Sequence, residues 1–349
     1  MIGRFKVSLS QNRGFYGAVI GFILLFVLYN FMHPRGFSTN VLIQNANEAI
    51  VLAFVAVAQT IPVLIGGLDL SVGAVMTLSS CIASVLVTGT PGEMILGMVL
   101  SLAAGTMFGL MNGLIVVYGR IQPIIATLAT GAIAIGLALF VRPQPGGDID
   151  GDLNWAVTNA VFDFAETYGL ANDGDAAWLK PIAWIPVPLI ILTIVMVLVW
   201  VPYRRSITGR TAYAVGSAEG AAYMSGLPIA RAKITAFTLA GFFAACAGLY
   251  LAIQTSSGNA DVVQAGEYTL KSIAAVVIGG TSLLGGVGTA VGSIFGAFII
   301  RIIEFFFRIG SISVDPLLQT LFQGIVLLVA VSLGSLRLTR IKNRLDIFR

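Results

Sequence analysis

The 349-residue chain reads as an all-α polytopic membrane protein of about ten transmembrane helices, some broken or re-entrant, with both termini cytoplasmic. Three observations carry that reading. Hydrophobic residues make up 57% of the chain and charged residues 10%, with a mean hydropathy of +0.93, where a soluble domain has about 45–50% and about 25%. Apolar runs of about 20 residues, the length that crosses roughly 30 Å of hydrocarbon, recur from end to end. The few charges are clustered by sign. So little charge cannot cover so much apolar side chain in water, which excludes disorder, a disulfide scaffold and a soluble enzyme.

The runs fall near 15–33, 42–64, 71–89, 95–118, 122–141, 184–201, 234–253, 270–284, 288–307 and 315–334. The first is longer than a signal-peptide core. His33-Pro34-Arg35-Gly36 follows it where a cleavage site needs small residues, so it reads as a retained helix. The eighth is the weakest: its apolar residues after Lys271 reach only Leu284, and Gly279-Gly280 interrupts them. A broken or re-entrant segment there needs protein neighbours to satisfy its freed backbone groups. Cys81 and Cys246 fall in separate runs and read as packing residues.

Charge orients the runs. Residues 1–14 carry Arg4, Lys6 and Arg13, and residues 202–233 carry Arg204, Arg205, Arg210, Arg231 and Lys233 against Glu219. The tail 336–349 carries Arg337, Arg340, Lys342, Arg344 and Arg349 against Asp346. Lys and Arg favour the cytoplasmic side, so these three segments belong there. Residues 142–182 hold Asp148, Asp150, Asp152, Asp163, Glu166, Asp173 and Asp175 against Arg142 and Lys180, and five crossings from an inside N-terminus put them on the far side. Residues 1–349 thus form one transmembrane domain, and the pI of about 9.2 reports topology rather than nucleic acid. Within the acidic loop, Trp155, Val161, Phe162, Ala165 and Tyr168 suggest a short interfacial helix. Asn259, Asp261, Gln264 and Glu267 make residues 254–271 polar enough to lie outside.

The inventory for covalent chemistry is small. His33 is the one histidine, so neither a histidine-based metal site nor a Ser-His-Asp site can be assembled. Thr208-Gly209-Arg210-Thr211 is the nearest phrase to a P-loop and lacks its lysine and its glycine spacing. Any ATP-driven work must therefore use an ATPase on a separate chain.

Glycine is the informative residue, at 40 of 349 against an average of about 7%. Two phrases stand out: Gly66-Gly67-Leu68-Asp69-Leu70-Ser71-Val72-Gly73, and Gly279-Gly280-Thr281-Ser282-Leu283-Leu284-Gly285-Gly286-Val287-Gly288-Thr289. Gly66, Gly67, Gly279, Gly280, Gly285 and Gly286 are expected helix breaks, with tight helix packing as the alternative. Interrupted apolar segments in both halves of a transporter point toward its substrate path, which makes Asp69, Ser71, Thr281 and Ser282 candidates. Asp69 serves either as a cap for the third span or as a substrate contact. The second span carries Gln44, Asn45, Asn47, Glu48 and Gln59. That polar set is either a cavity wall for a hydroxylated solute or a set of inter-helix hydrogen bonds. Arg301 and Glu304, three apart, are expected to pair structurally, and Lys271 is expected to snorkel.

The two glycine phrases resemble those of ribose-type sugar permeases of bacterial ABC importers. A third stretch, Tyr213 to Leu227, is similar to the family's cytoplasmic coupling segment, with Gly220 standing where alanine is usual. The resemblance runs in order from about residue 40 to 333. It implies a permease subunit of an inner-membrane importer, translocating a monosaccharide or similar polyhydroxylated solute. It further implies ATP and Mg bound by a partner ATPase, delivery by a periplasmic sugar-binding protein, and a second permease subunit, identical or related. It assigns ATPase coupling to Gly216, Glu219, Ala221, Ala222, Ser225 and Gly226. The residues alone agree: Glu219 to Ser225 can form a short helix, Ala221 and Ala222 suit close seating on a partner, and Gly226 and Pro228 end it. The 142–182 loop is longer than usual for the family. An ion-coupled secondary transporter using Glu48 and Asp69 stays open as the alternative.

Overall fold

The computed structural model describes residues 13–170 and 179–308, with scattered helical positions between 318 and 332. These residues form helices α1 (Arg13–Met32), α2 (Thr39–Leu64), α3 (Val72–Leu86), α4 (Pro91–Tyr118), α5 (Pro123–Val141), α6 (Gly151–Thr158) and α7 (Val161–Thr167). They continue as α8 (Val187–Arg205), α9 (Ile207–Met224), α10 (Ile229–Thr255), α11 (Val262–Ile278) and α12 (Ala290–Phe306). Among the described residues there is no strand, only isolated bridges joining Gly146 to Gly258 and Ala160 to Pro186.

Helix α2 is the axis of the bundle. Ser38 caps its start by accepting from the Val41 amide, and every residue from Ala49 to Leu64 is buried. Helices α8, α10, α11 and α12 pack around it, and α3 and α4 pack on α10. The closest of these contacts uses glycine. Gly105, Gly109 and Gly113 lie four apart on α4 and face the α10 backbone, where a Cβ on Gly109 would come 2.9 Å from the Gly241 Cα. Helices in lipid gain little from apolar burial against one another, so backbone approach of this kind supplies the dispersion contact that holds them.

Among the described residues, six helices are long and apolar enough to cross a membrane: α1, α2, α4, α5, α8 and α10. Helix α3 has 15 residues, and α11 and α12 have 17 each, or about 23–26 Å at 1.5 Å per residue. All three short helices border a glycine phrase. The breaks use up chain that a straight crossing would have kept helical. The expected tenth run, 315–334, falls largely outside the described residues, as do most of residues 1–14 and the tail 336–349.

Three local expectations change. The eighth run is helical from Val262 to Ile278, not 270–284, because Asp261 caps it by accepting from the Val263 and Gln264 amides. Residues 262–271 are therefore the first turns of an amphipathic helix, with Ala265, Tyr268 and Thr269 buried and Glu267 exposed. The acidic loop forms two short helices rather than one. Ala160 is extended between them, its amide donating to the Asp163 carboxylate at 2.9 Å. Helix α8 contains a π turn at Met196–Trp200, just before Pro202, whose missing N–H cannot continue the α ladder.

Candidate functional site

The two glycine phrases and the coupling segment, far apart in sequence, meet at one end of α2. The first phrase ends α2 with Gly66 at φ +77, and its amide donates to Val63 O at 2.9 Å. The second turns back through Gly280, Gly285 and Gly286, at φ +84, +88 and +73, a region where side chains other than glycine are strained. The Gly286 amide donates to the Leu64 carbonyl at 3.0 Å, which joins the two breaks directly. Gly216 of α9 closes over that bond. A Cβ there would strike Leu64 O and Gly286 N, and one on Gly285 would come 2.8 Å from both Gly216 Cα and Gly66 N. Tyr213, one turn earlier, donates its hydroxyl to Gly288 O at 2.9 Å. A hollow of about 900 Å³ opens beside this junction, bordered by Gly66, Gly67, Arg120, Tyr223 and Arg231.

Helix α9 is two helices joined at Ala218, whose φ of −162 and ψ of 95 break the ladder. Glu219 to Met224 therefore forms the short helix expected for the coupling segment. Glu219 is exposed and pairs with Lys233 at 2.7 Å. Ala221 is exposed but Ala222 is buried against its own chain, so the two alanines do not share an outward face. The outward face instead carries Tyr223 and Met224, 74% and 86% exposed. Ser225 caps the helix, and Gly226 at φ +70 turns the chain away.

Asp69 and Ser71 belong to a buried network between the first break and the neighbouring helices. The Asp69 carboxylate accepts from Ser71 N at 2.8 Å and Ser71 Oγ at 2.6 Å. Ser71 Oγ accepts in turn from Asn112 of α4 at 2.9 Å, and Thr130 of α5 donates to Asn112. Leu70 N donates to Thr127 of α5. Ser71 is the N-cap residue of α3 but makes no side-chain cap bond of its own. Thr281 is buried with its hydroxyl unpartnered, packed under Gly288, while the Ser282 amide donates to Val287 O at 2.9 Å and folds the second phrase into a turn.

The polar residues of α2 do not form one wall. Gln44 and Glu48 border a hollow of about 330 Å³ at the opposite end of the bundle, with Asn47, Thr158 and Gln254. Glu48 pairs there with Arg308 at 3.0 Å. Asn47 bonds to Thr158 and Tyr250, which is the inter-helix alternative. Asn45 faces a separate apolar cavity, and Gln59, in the last two turns of α2, is fully buried with its amide unpartnered among the described residues.

Lys271 does not snorkel. It is 5% exposed and pairs with Glu304 of α12 at 2.6 Å and with Glu267. Arg301 completes the cluster, donating to Glu304 and to the Tyr268 hydroxyl, each at 2.7 Å. Two cations buried beside one carboxylate relieve their desolvation by pairing, which a window-averaged hydropathy does not register. The glycine stripe at 105, 109 and 113 also carries a sequence signal, its four-residue spacing, which places all three on one helix face.

Residues 41–331 match the family described as branched-chain amino acid transport system / permease component. The chain is 34% identical to the ribose import permease protein of Bacillus subtilis over 319 residues, 91% of each chain. It is 33% identical to the ribose import permease protein of Haemophilus influenzae, covering 95% of this chain and 94% of the relative. It is 30% identical to a fructose import permease protein of Bifidobacterium longum, covering 82% and 81%. No solved structure matches the chain. With its apolar helices and this match over most of its length, the chain is a multi-pass membrane protein that belongs to the permease-component family of ABC importers.

Proposed function

We propose that the chain is the membrane-spanning subunit of an inner-membrane ABC importer for a monosaccharide or similar polyhydroxylated solute. ATP and Mg are bound and ATP is hydrolysed on a separate ATPase. A periplasmic binding protein delivers the solute, and a second permease subunit completes the pore. The observation that carries this reading is the seating of Gly216 against Leu64 and Gly286. Gly216 lies two residues before the Ala218 kink, so a partner that moves the Glu219–Met224 helix acts on both helix breaks through that short link, and at Gly216 itself no side chain stands between the backbones. Differential affinity of the two membrane states for the nucleotide-bound ATPase then drives the switch.

The sugar class comes from the relatives, whose names specify ribose and fructose import. Gln44 and Glu48 suit the entrance at the acidic end, and Ser71, Thr281 and Ser282 lie toward the exit. Asp69 acts as a conformational brace, since its carboxylate is already committed to Ser71. The ion-coupled alternative needs a carboxylate free to take up an ion, yet Glu48 is paired with Arg308 and Glu304 with Lys271 and Arg301.

The test is uptake of labelled ribose and fructose into vesicles holding the full chain, its ATPase and a sugar-binding protein. The expected result is uptake that requires ATP and is insensitive to ionophores. Uptake by this chain alone, driven by a proton or sodium gradient, would overturn the reading.

A further inference from the structure

We propose that a cavity between α1, α2, α8 and α12 is a binding site for one acyl chain of a membrane phospholipid, with the ester carbonyl held by Asn45 and Arg301. The cavity has a volume of about 650 Å³. Its walls are almost wholly apolar and rich in aromatic residues, with Phe22, Phe26, Trp200, Phe295 and Phe298 among them. On α12 the lining runs from Val291 to Phe305, about 21 Å of helix at 1.5 Å per residue. One leaflet of hydrocarbon is about 15 Å deep, half of roughly 30 Å. The cavity is thus long enough to take an acyl chain through the full depth of one leaflet, and it runs along the helices, as an acyl chain does.

Its polar residues are Asn45, Thr193 and Arg301. The Thr193 hydroxyl is spent on Leu189 O at 2.7 Å. Asn45 Nδ2 and Arg301 Nε are buried and have no hydrogen-bond partner among the described residues, and their residues are only 6% and 8% exposed. Both sit at the Phe305 end of the cavity, while the Val291 end is apolar. Buried N–H donors call for acceptors, because an unmet one keeps its full desolvation penalty. The Arg301 charge is already balanced by Glu304, with Lys271 and Glu267 behind it, so the fitting acceptor is neutral. An ester carbonyl above a long hydrocarbon tail meets every one of these conditions. A polyhydroxylated solute would find too few partners here. A packed helix spends its own backbone carbonyls on its ladder and could meet these donors only through a polar side chain. The proposal rests only on the chain crossing a membrane, so its failure and that of the transport reading are independent.

Trp200 lines the cavity and is itself only 2% exposed, which makes it a reporter. Replacing the other three tryptophans (Trp155→Phe, Trp178→Phe, Trp184→Phe) isolates its fluorescence in the full-length chain. In vesicles of phosphatidylcholine brominated on the acyl chain, Trp200 is expected to be quenched, with saturation at a low brominated fraction. Asn45→Leu is expected to raise the fraction for half-quenching about five- to tenfold, the weight of one hydrogen bond. Ala49→Phe, which fills the wall, is expected to remove the saturable component. Independently, native mass spectrometry of the unmodified chain is expected to show a retained phospholipid that Asn45→Leu releases. Quenching that is absent, or unchanged by both substitutions, overturns the proposal and points to cover by a second copy or by this chain's own later residues. So does a chain that retains no phospholipid.

Discussion

Gly216 on α9 sits over the hydrogen bond that Gly286 donates to Leu64, close enough that a Cβ at 216 would strike both ends of it. The position is helical, so alanine would ordinarily gain there from lower backbone entropy in the unfolded chain, about 0.5–1 kcal/mol. Here backbone stands in the way, and overpacking costs about 1–3 kcal/mol. Gly216→Ala is therefore expected to lower the unfolding temperature of the purified chain in detergent. Gly220→Ala, four residues on, meets nothing within 4 Å and is expected to leave it unchanged or raise it. Equal effects at the two positions would show that the junction at 216 is slack.

Much of this fold was legible in the amino-acid order. The six long helices follow from apolar runs of the right length, and Gly66-Gly67 and Gly279-Gly280 mark where α2 and α11 end. What stayed hidden is what depends on contact. Nothing in the order of residues says that Leu64, Gly216 and Gly286 share one point in space. Lys271 looked like an interfacial residue because its helix appeared to start there; its neighbour Glu267 is four residues away, but Glu304 comes from the next helix. The Asp69 network was half legible. A carboxylate before a helix start suggests capping, whereas its extension through Ser71 to Asn112 and Thr130 needs three helices in place.

That network makes Asp69 a brace, and the brace can be weighed. Asp69→Ala removes the acceptor of two hydrogen bonds at a site 1% exposed, and one such bond to a charged group is worth about 1.5–3 kcal/mol. Asn112→Ala acts on the same Ser71 hydroxyl, so the pair is expected to be non-additive by about 0.5–3 kcal/mol in a double-mutant cycle of chemical unfolding. Selectivity among sugars is expected to stay as it is. An Asp69→Ala chain of full stability with altered sugar preference would instead make Asp69 a substrate contact.

The buried charge cluster gives a sharper stability test. Removing one partner of a buried ion pair leaves the other uncompensated, at a cost of about 3–5 kcal/mol. Glu304→Gln is expected to reach that range, since Lys271 and Arg301 are then left buried with only the half-exposed Glu267 to oppose them. Glu267→Gln is expected to matter far less, because Glu267 is 48% exposed and water replaces its partner. Thermal unfolding of the two variants side by side decides it, and similar losses would show that the cluster is hydrated.

The outward face of the Glu219–Met224 helix, where we propose that the ATPase couples, separates stability from association. Glu219 and Lys233 form a partly exposed pair, and such pairs contribute about 0–1 kcal/mol. Glu219→Arg is thus expected to leave the chain's own unfolding temperature nearly unchanged while reducing co-purification of its ATPase. Tyr223 and Met224 are the large side chains on that face, at 74% and 86% exposure. Aromatic anchors of this kind commonly carry 2 kcal/mol or more of an interface, roughly 30-fold in affinity. Tyr223→Ala is expected to weaken ATPase binding by about that factor, and Ala222→Ser, pointing inward, to act through folding instead. Titration of the ATPase against each variant in nanodiscs checks the order. If Tyr223→Ala and Glu219→Arg both bind as tightly as the parent chain, the ATPase docks elsewhere, and the seating of Gly216 against the two breaks is packing alone.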